Sequence, residues 1–134
     1  MFVIGETYRR RTMHDQFGGQ EQGGIATPTS QQAVWLFTGD TGEQYGYKDR
    51  WVDDNTFRYY GEGQYGDMRF VRGNRAIRDH VKNGEQLLLF KRLGGGQVQF
   101  LGEMLLHNYA TEQGKDLNNQ TRDVIVYTLT RIQP

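Results

Sequence analysis

Residues 85–106 read EQLLLFKRLGGGQVQFLGEMLL, two apolar-rich runs either side of Gly94-Gly95-Gly96. Glycines adopt the left-handed backbone that a tight reversal needs, so the segment predicts a β-hairpin. Outward from it, VIVYTLTRI (124–132) reads as a closing strand, and AVWLFTG (33–39) as a buried one, because its apolar run is continuous. QYGYKDRW (44–51) alternates, and TFRYYGEG (56–63) follows after an Asp53-Asp54-Asn55 turn. A helix is expected from Thr7 to Phe17, stopped by Gly18-Gly19. A second is expected from Arg75 to Lys82, capped by Asn74, with Ile77 and Val81 as its apolar pair and Asn83-Gly84 as its end. Many strands with two or three short helices imply an α+β or closed-barrel design rather than a wound βαβ sheet.

The 134 residues suit one domain, 1–134. Glycine is frequent (18) and proline rare (2), which favours tight turns over a disordered linker. With no cysteine, disulfides and cysteine-based zinc sites are excluded, and a reducing, cytoplasmic setting is expected. No run is long and apolar enough for a membrane span, and the start MFVIGETYRRR lacks the order of a signal peptide. Sixteen basic residues balance sixteen acidic ones, so any nucleic-acid binding must come from local clusters and a shaped pocket.

No catalytic constellation stands out. His14, His80 and His107 make no metal-ligand spacing, and the first two read as packing or capping residues of the expected helices. Glu62 and Asp67 could be drawn as the carboxylate pair of a small hydrolase, although acids in a Gly-rich turn more often accept backbone N–H bonds. GEGQYG (61–66) lacks the lysine and hydroxyl of a phosphate-binding loop. Neither a cofactor nor a metal is expected.

Tyr45, Tyr47 and Asp49 share one face of an alternating strand, with Tyr59 on the next. Such tyrosines serve cross-strand packing as readily as recognition. A carboxylate among aromatics, however, needs a donor, and the exocyclic amine of cytosine is one. Arg9, Arg10 and Arg11 lie in the first helix, and Arg72, Arg75, Arg78 and Lys82 surround the second. These stripes are either solvated faces or phosphate contacts. The loop GGQEQGGIATPTSQQ (18–32) is long enough to be functional or floppy.

From Gly18 to His80 the segments GGQEQGGIATP, AVWLFTG, QYGYKDRWVDDNTFRYYGEGQYGDM and GNRAIRDH occur in order. The Y-x-D-x(9)-Y-x-G frame (Tyr47, Asp49, Tyr59, Gly61), the preceding G-G-I and the later N-R-A (Asn74 to Ala76) resemble the SRA (SET- and RING-associated) domain. The likeness is greatest to SRA-like domains that precede HNH nucleases in bacterial modification-dependent restriction endonucleases, and it covers about half the chain at motif level. The resemblance implies a twisted, PUA-like β-barrel that binds duplex DNA and flips out a 5-methylcytosine or 5-hydroxymethylcytosine. It implies a base pocket of Tyr47, Asp49 and Tyr59 with Thr38 and Gly39, the tyrosines stacking and the acid reading the base. Eukaryotic members keep the acid one step later, where this chain has Arg50, so Asp49 is assigned by face and proximity. The loop matches at Gln22, with Gln20 as the alternative wedge beside Gly23 and Gly24, and Arg9, Arg10, Arg11, Arg72, Arg75 and Arg78 become phosphate contacts. The 134 residues hold no HNH module, so the expectation is a non-enzymatic reader that serves a nuclease domain in the same or a partner chain. The alternatives are a PUA-like RNA-binding module and, less favoured, the carboxylate hydrolase.

Overall fold

The computed structural model describes residues 2–39 and 48–132. The element order is β1 (Thr7–Arg9), α1 (Arg10–Phe17), β2 (Ile25–Ala26), β3 (Ala33–Thr38), β4 (Arg50–Trp51), β5 (Thr56–Tyr60), α2 (Arg72–Arg78), β6 (Gln86–Gly94), β7 (Gln97–Lys115) and β8 (Thr121–Arg131). One sheet runs β2-β3-β6-β7-β8-β5-β4, with β1 added beside β7. Every pairing is antiparallel except β3 with β6, which run parallel from Ala33 opposite Gln86 to Thr38 opposite Lys91.

The class is α+β, as the sequence predicts, but the expected barrel is not closed: β2 and β4 stand at opposite ends of the strand order. The hairpin forms as read, with Gly94, Gly95 and Gly96 all at positive φ. All six residues of β3 are buried. Val34 and Leu36 join one core cluster with Ile77 of α2, while Trp35 and Phe37 join a second with Met13 of α1. The next strand divides likewise, Leu87 and Leu89 from Leu88 and Phe90. The parallel pair is thus covered on both faces, which is why its sequence is continuously apolar.

Both helices depart from expectation. Thr7–Arg9 is strand, because Tyr8 pairs opposite Val98 on β7, and the helix begins only at Arg10. The second helix starts at Arg72 and ends at Arg78, so Asn74 lies inside it and is no cap. Val81 is 67% exposed because the chain has already left the helix, and of the expected pair only Ile77 is buried in the core. The strand expected to run to Gly63 ends at Tyr60. Of the strand expected over 44–51 only Arg50–Trp51 is seen, and residues 44–47, with Tyr45 and Tyr47, lie outside the described residues.

Candidate nucleic-acid interface

The C-terminal ends of β3 and β6 lie side by side and deliver Thr38, Gly39 and Arg92 to one place. Asp49, just before β4, meets them there. Its Oδ2 accepts the Thr38 hydroxyl at 2.8 Å, and its Oδ1 accepts the Tyr60 backbone N–H at 2.8 Å. Burial pushes the Asp49 carboxyl up from 3.8 to about 6, against the opposing pull of those two donors and of Arg92. A cavity of about 290 Å³ opens beside it, lined by Thr38, Gly39, Asp49, Arg50, Trp51 and Lys91 among others. That volume is near the lower end for small-ligand pockets, about 300–1,000 Å³.

Tyr59 is only 3% exposed and belongs to the core. Its hydroxyl has two acceptors within reach, the Gly24 carbonyl at 2.8 Å and the Phe37 carbonyl at 3.2 Å. Burial, aided by the charge of Asp49, holds the phenol well above its ordinary value, so it stays a donor. The tyrosine expected to stack on a base therefore supports the Gly-rich loop in the free chain. Its expected partner, Tyr47, lies outside the described residues.

The loop is held by its backbone. Arg10 donates from Nη1 to the Gly23 carbonyl at 2.9 Å and from Nη2 to the Gln20 carbonyl at 3.1 Å. Its guanidinium lies 3.8 Å from the centroid of the Phe37 ring, and burial with Arg92 nearby lowers its pKa to about 10. Arg10 Nε donates to His14 Nε2 at 3.0 Å, so the His14 proton sits on Nδ1, which donates to the Gly18 carbonyl at 2.9 Å. The imidazole thereby bridges Arg10 to the start of the loop. Gln20 spends its side chain on the loop's own closure, Oε1 accepting the Thr27 N–H at 2.8 Å. Gln22 is exposed, and among the described residues no hydrogen bond ties its side chain.

Beyond Gly23 and Gly24 an open cleft of about 820 Å³ is lined by Glu62, Gln64, Tyr65, Asp67, Arg69 and Arg72 among others. Asn74, buried, shapes it: it accepts the Glu62 N–H at 2.9 Å and donates to the Glu62 and Arg69 carbonyls at 2.8 and 3.0 Å. The two acids read as a hydrolase pair both line this cleft, each with a backbone donor. Asp67 accepts the Asp123 N–H at 2.7 Å, while Glu62 is bonded by the Gly73 N–H and raised in pKa by burial. Among the described residues no three or more histidines or acids are grouped to hold a metal.

The six arginines expected at phosphates divide. Arg9, Arg11, Arg72 and Arg75 are exposed; Arg72 opens α2 at a left-handed φ of 49°, a strained setting for a side-chain-bearing residue. Arg10 turns inward, and Arg78 is paired to Asp79 at 2.8 Å and lies over the Phe70 ring. Sequence reasoning missed Arg92, although it continues the buried alternation Leu88, Phe90 by two residues, which places its stem against the core. It also read His80 as helical; the residue follows α2, and its ring joins the Glu85 carbonyl to the Leu106 N–H.

A family model described as "ScoMcrA-like, SRA domain" matches residues 4–134. The structure of the sulfur binding domain and SRA domain of ScoMcrA complexed with phosphorothioated DNA is similar, with a TM-score of 0.79 at 22% identity over 100% of this chain. This chain spans 41% of that one. The DNA recognition domain of the cytosine modification-dependent restriction endonuclease LpnPI gives 0.74 at 15% identity, over 98% of this chain and 74% of that one. The SUVH5 SRA complex with methylated CHH DNA gives 0.69 at 17% identity, over 99% and 90%. No curated protein sequence matches the chain.

Proposed function

The chain belongs to the ScoMcrA-like SRA domain family, and we propose that it binds duplex DNA containing 5-methylcytosine or 5-hydroxymethylcytosine by flipping the modified base into the Asp49 pocket. The observation that supports this reading most is the juxtaposition of two things. A half-buried carboxylate lies beside a cavity, and next to it a glycine-rich loop has its backbone fastened and Gln22 free. Flipping needs both: a lined receptacle, and a polar side chain to fill the vacated stack at a cost of a few kcal/mol in lost stacking.

Asp49 accepts from the cytosine exocyclic amine and repels the O4 of thymine, a contact worth about 1–3 kcal/mol. Tyr47 and Tyr59 bracket the ring; for Tyr59 this requires its buried face to be uncovered as the base enters. The exposed Arg9, Arg11, Arg72 and Arg75 take phosphates. The domain reads and does not cut, and it directs an HNH nuclease domain in the same or a partner chain.

Competition binding with plain, methylated, hydroxymethylated, glucosylated and phosphorothioated duplexes of one sequence tests this. Methylated or hydroxymethylated DNA should bind at least about tenfold more tightly than plain DNA, at two salt concentrations. Equal affinity for plain and methylated duplexes rejects the reading, and preference for single-stranded RNA replaces it with an RNA-binding one.

A further inference from the structure

Arg92 has no place in the sequence motifs, yet it contacts Gly39, the end of β3 and the Gly-rich loop. Its stem packs on Gly39, where an added Cβ would lie 3.3 Å from the Arg92 Cβ. Nη1 donates to the Phe37 carbonyl at 3.4 Å, at the end of β3. Nη2 donates to the Gly23 carbonyl at 3.2 Å, the same oxygen that Arg10 holds at 2.9 Å from the opposite side of the chain order. Its charge acts on both Asp49 and Tyr59. Among the described residues no carboxylate lies within ion-pair distance of it.

Two guanidinium groups sharing one carbonyl repel each other. The arrangement makes sense if the loop must be fixed relative to the acid and not merely ordered. We infer that Arg92 is a positioning residue that locks the wedge loop to the end of β3 beside the base pocket, setting where Gln22 stands. This rests on the base-flipping reading for its purpose, but the lock itself can be measured without DNA.

Among the described residues, the groups that act on Asp49 are the Thr38 hydroxyl from β3, the Tyr60 N–H and the Tyr59 phenol from β5, and Arg92 from β6; Arg50 of β4 and Lys91 of β6 line the adjoining cavity. Among the described residues Arg92 is the cation that lowers the Asp49 carboxyl, so its removal lets burial raise it further.

Two variants of the whole chain, Arg92→Gln and Arg92→Lys, separate charge from geometry, with thermal melts confirming that each is folded. In the free protein, carboxyl NMR should show Asp49 titrating near pH 6 in the parent, higher in Arg92→Gln, and near the parent value in Arg92→Lys. Backbone amides of residues 20–24 should exchange faster in both variants, because a lysine ammonium cannot fork to two carbonyls. With methylated duplex at pH 7.5, Arg92→Gln should bind about tenfold more weakly, and the pH at which it stops discriminating methylcytosine from thymine should rise. The slope of log affinity against log salt should stay that of the parent.

A slope that falls by about one, with the Asp49 titration unmoved, would make Arg92 a phosphate contact and overturn the inference. Unchanged loop exchange together with unchanged titration would overturn it as well. If the parent chain itself shows no preference for modified DNA, the base-flipping reading fails, while the free-protein measurements still decide whether the lock exists.

Discussion

At the scale of single residues, the site carries a stability cost that its chemistry explains. Asp49 titrates near 6 in the folded chain against 3.8 ordinarily, so between those values the folded state holds more protons than the unfolded one. Stability contributed by this group is full below about pH 4 and is lost as pH rises through 6, a difference of about 2–3 kcal/mol at neutral pH. Asp49→Asn should therefore raise the melting temperature at pH 7.5 and give little gain at pH 4. Asparagine can accept from Tyr60 N–H and donate to Thr38, so the fold keeps both bonds. A melting-temperature gain of equal size at both pH values would contradict this account. The two glutamines make a second contrast. Gln20→Ala removes the acceptor of the Thr27 N–H and should lower loop order and stability, by about 1 kcal/mol. Gln22→Ala should leave the melting temperature unchanged and weaken methylated-duplex binding instead. Asp49 is singled out in the sequence by its two-residue spacing from Tyr47, whereas its bonds to Thr38 and the Tyr60 N–H, made from just before β4, follow no local pattern. The bond from Thr27 to Gln20 has no such local signal, since it depends on loop conformation.

Among the elements, local signals read well and long-range ones did not. The β6–β7 hairpin followed from three glycines between two runs, a signal carried wholly within 22 residues. Asn74 shows the opposite case. A polar residue before an apolar pair resembles a helix cap, but the side chain is committed to backbone groups of Glu62 and Arg69, on a segment whose path no local pattern reveals. Asn74→Ala takes the side-chain partner from the half-buried N–H and carbonyl of Glu62, while the Arg69 carbonyl keeps the Val71 N–H, and should cost about 2 kcal/mol in urea unfolding. The helix also sits close to this segment: a Cβ on Gly73 would lie 2.6 Å from Glu62 Oε2 and 2.8 Å from Ile25. Gly73→Ala should thus destabilise by about 1–3 kcal/mol, while Gly95→Ala, with nothing near its Cβ, acts only through its positive φ of 62°.

Over the whole molecule, the α+β class and most of the strands were readable, because a strand covered on both faces keeps a continuous apolar run and one covered on a single face keeps alternation. The open ends of that sheet were not, since closure depends on how β2 and β4 are placed, and both are two residues long. The site was half legible for the same reason: its motif residues are close in sequence, while Arg10 and Arg92 arrive from distant elements. The parallel pair has a further consequence, for the order of folding events. The β6–β7–β8 meander closes short loops and can form first, but β3 gains its β6 partner only after the whole intervening segment, 39–85, has been spanned. Thr38, Gly39 and the Phe37 carbonyl that Arg92 grips travel with β3, so this corner of the candidate site is expected to assemble in the last step and to be the first part undone. In stopped-flow chevrons, Val126→Ala in β8 should slow refolding. Leu36→Ala in β3 should chiefly accelerate unfolding and leave the refolding limb almost where it was.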